Sequence, residues 1–162
     1  MRRFKSSAFS LVEVTLALGV AAVSLLIIAA MLPISIKTNQ ASANQTVANG
    51  IISQIADDLR AAARLPPGQV SKQFSLDPSK GIKGRWDPTP QYIYFDYDER
   101  PTNTNPNQST APSDALYRAT ITYRQPPTDT TSLADVRISW PAAQSDPNKV
   151  AGSVEMFVAI NR

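Results

Sequence analysis

Three kinds of hydrophobic pattern follow one another along the chain, and each predicts a different element. Residues 9 to 32, FSLVEVTLALGVAAVSLLIIAAML, are apolar on every side, with Glu13 the only ionisable side chain among them. As a helix rising about 1.5 Å per residue, this run extends roughly 36 Å, enough to cross a hydrocarbon core of about 30 Å. Pro33 closes it. Beyond the proline a helical period resumes: Val47, Ile51, Ile55 and Leu59 recur every four residues, Ala48, Ile52, Ala62 and Ala63 widen the stripe, and Asp57, Asp58, Arg60 and Arg64 fall elsewhere. Pro66, Pro67 and Gly68 are expected to stop the helix. With Pro33 as a kink, one helix is predicted from about residue 9 to about residue 65.

In the C-terminal part the period changes from 3.6 to 2. LYRATITYR (116 to 124) sets Tyr117, Ala119, Ile121 and Tyr123 on one face against Arg118, Thr120, Thr122 and Arg124 on the other. LADVRISW (133 to 140) and SVEMFVAI (153 to 160) repeat the alternation, with Val136, Ile138 and Trp140, then Val154, Met156, Val158 and Ile160, on the apolar side. QYIYFDY (91 to 97) reads as a further strand, aromatic on both faces. Connections rich in Pro, Asn, Ser and Thr separate these strands, notably at 100 to 114 and 125 to 132. The pattern predicts an α+β fold: a long N-terminal helix, half transmembrane and half amphipathic, packed through Val47, Ile51, Ile55 and Leu59 on a small antiparallel sheet of about four strands. The chain contains no internal repeat.

Charge changes the picture less than the pI near 9.3 suggests. Arg2, Arg3 and Lys5 account for the whole formal +3, since 16 basic residues less these three equal the 13 acidic ones. No basic stripe with interleaved aromatics follows, so nucleic acid is not an expected partner. The three leading cations do orient the apolar helix. Only Lys37 follows within about 20 residues, which places the N-terminus in the cytoplasm and the domain after the helix on the far side of the membrane.

The chain has no cysteine and no histidine. Thiolate nucleophiles, disulfides, histidine bases and the usual zinc ligands are therefore excluded. Asp57 and Asp58, adjacent on a helix, point about 100° apart and are poorly placed as a catalytic pair. The oxygen-rich stretch DYDERPTNTNPN (96 to 107) has the ligand chemistry of a calcium loop without EF-hand spacing, and equally the composition of an ordinary Asx-rich loop. GIKG (81 to 84) lacks the Walker pattern and reads as a turn. The Val47 to Leu59 stripe reads as a core face. Neither a cofactor, a metal site nor an enzymatic activity is expected.

Glu13 asks for an explanation, because a carboxylate at the centre of a bilayer costs roughly 2.5 to 3.5 kcal/mol on insertion scales. A backbone terminus is one cation that would offset the cost. Cleavage between Ala8 and Phe9 would leave an ammonium at Phe9, four residues before Glu13, free to meet the carboxylate of a neighbouring, axially shifted helix.

A short basic leader, a small residue, then Phe-Ser-Leu-Val-Glu-Val and an apolar run together resemble the prepilin signal of type IV pilins and type II secretion pseudopilins over residues 2 to 32. The resemblance implies cleavage by a membrane aspartyl prepilin peptidase, N-methylation of Phe9, an assembly role for Glu13, and Pro33 as the helix proline. Two positions depart from the pattern. Ala8 stands where glycine is usual, and Pro33 falls later than the common proline of a standard major pilin. SLVEVTLALGVAA, LPISIKTNQAS and DLRAAA also resemble B-type pilin-like proteins of multi-gene cassettes in Verrucomicrobia, in the style of pseudopilin I and minor pilin V.

The implied organisation is a leader at 1–8, a transmembrane helix at 9–33, an amphipathic helix half at 34–65 and an exterior β-rich domain at 66–162 packed on 45–65. The implied subunit sits in the inner membrane, contacts lipid and other pilin-like subunits through its N-terminal helix, and forms a pilus or a secretion filament. Two alternatives stay open. One is a secreted soluble binding domain with a conventional signal peptide, for which Ala41-Ser42-Ala43 supplies an A-x-A site. The other is an uncleaved single-pass anchor carrying a scaffold or sensor domain, in which Glu13 is an interfacial acid.

Overall fold

A computed structural model describes residues 10–66, 68–103, 105–124 and 127–161. It has one long helix followed by a four-stranded antiparallel sheet, an α+β fold. The helix, α1, runs Leu11–Ala62 and passes through Pro33 without interruption. Proline removes one backbone donor, so the carbonyl of Ala29 one turn earlier loses its usual partner. The chain divides into two compact units, one ending at Ala41 and one beginning at Ser42.

In the first unit every described large apolar side chain of α1 from Leu11 to Ile36 is exposed, from 45% at Val14 to 82% at Leu11. This segment is long and apolar enough to cross a membrane.

In the second unit the remainder of α1 is amphipathic and its apolar stripe is buried. Ala48, Ile51, Ile55 and Leu59 are fully enclosed, with Ile52, Ala56 and Ala62 nearly so, while Val47 is half-buried at the margin. The helix ends at Ala62, three residues before the expected stop. Leu65 precedes a proline and is driven out of the α region. The last turn accordingly tightens, with Arg64 N–H donating to Ala61 O and Leu65 N–H to Ala62 O, both at 3.1 Å.

The sheet is a meander in the order β1 (Gln91–Phe95), β2 (Tyr117–Arg124), β3 (Thr131–Trp140) and β4 (Gly152–Asn161). Its registers put Ile93 opposite Ala119, Ile121 opposite Val136, and Val136 opposite Met156. The predicted inner faces therefore lie on one side of the sheet, and they pack on the α1 stripe as a single cluster. Phe74 and Leu76, from the connection after α1, complete that cluster, Phe74 meeting Phe95 edge-on at 5.5 Å. A 3-10 turn, Pro78–Gly81, lies against Tyr123. A Cβ on Gly81 would come within 2.6 Å of the ring, so only glycine fits there without a shift.

The two sheet edges differ. Along β1, Thr102, Asn103 and Pro106 satisfy outer backbone groups: Tyr92 N–H donates to Pro106 O (2.6 Å), Thr102 N–H to Tyr94 O (2.7 Å), and the Asn103 side chain accepts from Tyr94 N–H (2.8 Å). Among the described residues no segment hydrogen-bonds to the outer side of β4.

Candidate functional site

Of the residues singled out from the sequence, Glu13 and Pro33 lie in α1. Ala8 and Phe9 fall outside the described residues. Glu13 is exposed in the first turn of the helix, and Pro33 lies inside α1, also exposed. Ser10 begins the helix, its carbonyl accepting from Glu13 N–H at 3.0 Å and Val14 N–H at 3.1 Å. Ser10 and Glu13 have the spacing of a capping box, and the partial positive charge of a helix N-terminus favours an anion in this turn.

Two other polar side chains of the apolar run, Thr15 and Ser24, bond back to the helix. Thr15 Oγ1 donates to Val12 O at 2.9 Å and Ser24 Oγ to Val20 O at 2.8 Å. Back-bonding of this kind hides a hydroxyl from an apolar surrounding. Glu13 has no such recourse. A carboxylate only accepts, and among the described residues its side chain has neither a hydrogen bond nor an ion pair. Among the described residues the segment is thus an apolar surface with one unanswered charge near its start.

In the second unit the structure alters the standing of several polar residues. Asp57 and Asp58 have opposite environments: Asp57 is exposed beside Arg60 at 3.3 Å, whereas Asp58 is buried. Asp58 stays outside the hydrophobic cluster, as expected, but is buried rather than solvated. It lies one residue from Leu59, and its two carboxylate oxygens accept from Gln73 N–H and Phe74 N–H, each at 3.2 Å. This pins the connection after α1 to the helix and sets Phe74 into the core. Two aspartates in sequence gave no sign of this, since the partners are backbone donors fifteen and sixteen residues away.

In the 96–107 stretch the side-chain oxygens of Asp96 and Asn105 accept from the stretch's own backbone. Asp96 Oδ1 accepts from Asp98 N–H (2.9 Å) and Arg100 N–H (2.8 Å), and Asn105 Oδ1 accepts from Asn107 N–H (2.9 Å). Glu99 adopts a left-handed backbone, φ 61°, and reaches α1, where its carboxylate accepts from Gln54 Nε2 at 3.0 Å. It rests on Gly50, whose Cβ would lie 2.9 Å from a Glu99 oxygen. A glycine inside an otherwise regular helical stripe was the available signal of that close approach. Nearby, Tyr117 donates its hydroxyl to Asn44 Oδ1 at 2.9 Å, and burial raises its pKa above the ordinary phenol value. Among the described residues no group of three or more carboxylates is gathered in a way that could hold a metal ion.

Fold and site together define an α+β chain with one apolar helical segment of membrane-crossing length. No protein-family model matches the chain, and no curated protein or solved structure matches it either.

Proposed function

We propose that this chain is a pilin-like structural subunit, in the style of a minor pilin or pseudopilin. In this reading prepilin peptidase cleaves between Ala8 and Phe9 and Phe9 is N-methylated. The apolar part of α1 holds the subunit in the inner membrane with its N-terminus cytoplasmic, and the same segment packs with other pilin-like subunits in a type IV pilus or a secretion filament. The β-rich unit is the exterior part.

The observation that carries the reading is the lone Glu13 carboxylate on an otherwise self-satisfied apolar helix surface. A neighbour's Phe9 ammonium would answer it, and because the two groups are offset along the chain, the pair would set axial register. Glu13→Ala should leave the exterior unit folded, since its core begins at Ala48, and should ease membrane insertion. It should weaken assembly by about 3 to 5 kcal/mol, the cost of leaving one charge of a buried pair uncompensated. Crosslinking of wild type and variant to pilin-like subunits, after confirming that both leaders are removed, measures this. Undiminished assembly would leave Glu13 as a first-turn acid held by the helix dipole, as in an uncleaved single-pass anchor.

A further inference from the structure

The outer face of the sheet carries a second charge anomaly, of opposite sign and remote in sequence from Glu13. Arg118 on β2 and Arg137 on β3 both point to this face, as diagonal neighbours: Arg118 stands opposite Ser139 and Arg137 opposite Thr120. Arg118 is only 7% exposed, yet among the described residues neither arginine has an ion pair. Their hydrogen bonds are long and go to neutral oxygens. Arg118 donates to Gln144 O (3.3 Å) and Ser109 O (3.5 Å), and Arg137 to Pro147 O (3.3 Å) and Ser153 Oγ (3.4 Å). Arg118 Nε is buried with no acceptor among the described residues. The Tyr92 and Tyr94 rings lie 5.9 and 5.5 Å from the Arg118 guanidinium, a contribution smaller than a counter-ion would make.

Elsewhere on the same face an arginine is paired: Arg124 grips the buried Asp135 through Nε and Nη2. Glu155 stands opposite Arg137 in the ladder without closing to an ion pair. Buried charges are normally paired, because an isolated one loses its hydration without compensation. Diagonal ladder positions lie about 7 to 8 Å apart, within reach of long side chains, so the two like charges also repel.

Between the loops that cover this end of the sheet lies a cleft of about 290 Å³ lined by both arginines, with hydroxyls from Ser109, Thr120, Ser139 and Ser145. We propose that this cleft binds an oxyanion, a carboxylate or phosphate group, with Arg118 and Arg137 as its charged donors and the hydroxyls completing its hydrogen bonds. The volume sits at the lower end of small-ligand sites, so the group enters with little attached to it. Guanidinium forks suit both oxyanions.

The test uses the full chain in detergent micelles, titrated with sodium acetate and separately with sodium phosphate, chloride holding the ionic strength constant. The arginine Nε–H resonances, assigned by Arg137→Lys and Arg118→Lys, report binding. A saturable shift of both signals with one shared dissociation constant is expected. Saturation with acetate identifies a carboxylate site, and saturation with phosphate alone a phosphate site. Arg137→Gln should weaken binding about tenfold, while Glu155→Gln, which removes the facing carboxylate, should strengthen it. The proposal is overturned if neither anion saturates, or if Arg137→Gln binds as tightly as wild type.

Discussion

The two parts of α1 are one helix by backbone and two by environment. Up to Ile36 its described large apolar side chains are exposed; from Ala48 onward the large apolar ones are enclosed and the polar ones, the buried Asp58 excepted, lie off the core. Helical propensity does not separate these parts. The difference is which solvent each surface can accept. Apart from Glu13 the first surface offers water little, and its Thr15 and Ser24 hydroxyls are turned back on the helix. The second is a stripe one sheet wide, covered by β1 to β4. Stability of the second unit should therefore depend on one part of the helix and be indifferent to the other.

The largest contrast is expected from equal truncations in the two parts. Ile55→Ala removes a fully enclosed side chain and should cost the second unit about 2 to 5 kcal/mol. Ile28→Ala, on the exposed segment, should change that unit by no more than about 0.5 kcal/mol. Denaturant unfolding in detergent, followed by tryptophan fluorescence, reads the second unit alone, because both tryptophans, Trp86 and Trp140, lie in it. Equal losses would mean that the two parts are not energetically separate.

A smaller effect separates the adjacent aspartates. Asp58→Ala leaves two inward backbone donors without their carboxylate and should cost about 1.5 to 3 kcal/mol. Asp57→Ala removes an exposed pair with Arg60 and should cost about 0.3 to 0.5 kcal/mol. The same unfolding assay ranks them, and a ranking in the other order would contradict the pinning role of Asp58.

The smallest effect is confined to acid. The Thr89 side chain and backbone donate to Asp87, and Lys80 lies 3.0 Å away, which together hold its carboxyl down to about 2 from 3.8. A lowered carboxylate pKa stabilises the fold above the unfolded value, and that stabilisation disappears as pH falls through the folded one. Wild type should thus melt above Asp87→Asn at neutral pH, with the difference shrinking from pH 3.8 towards 2. A difference that does not change across that window would refute the assignment.

Local periodicity made most of the fold legible. The alternation of Tyr117, Ala119, Ile121 and Tyr123, and the four-residue repeat from Val47 to Leu59, survive as the two faces of one core. What periodicity missed depends on partners distant in sequence. Asp58 is buried because the chain returns with two free N–H groups, and Arg118 because loops from both sides close over it. β3 begins at Thr131, earlier than its apolar pattern, since Thr131 and Ser132 are paired with Asn161 and Ile160 and ladder bonds need no apolar side chain. Glu13 was legible as an anomaly in a single segment; its partner, by the proposed function, lies on another molecule.

The central claim, that this chain is a processed pilin-like subunit, is tested most directly at its N-terminus. Mass spectrometry of protein extracted from the membrane of its native host should find a mature chain beginning with N-methylated Phe9. An intact Met1, or a mature terminus at Asn44 after Ala41-Ser42-Ala43, would contradict it.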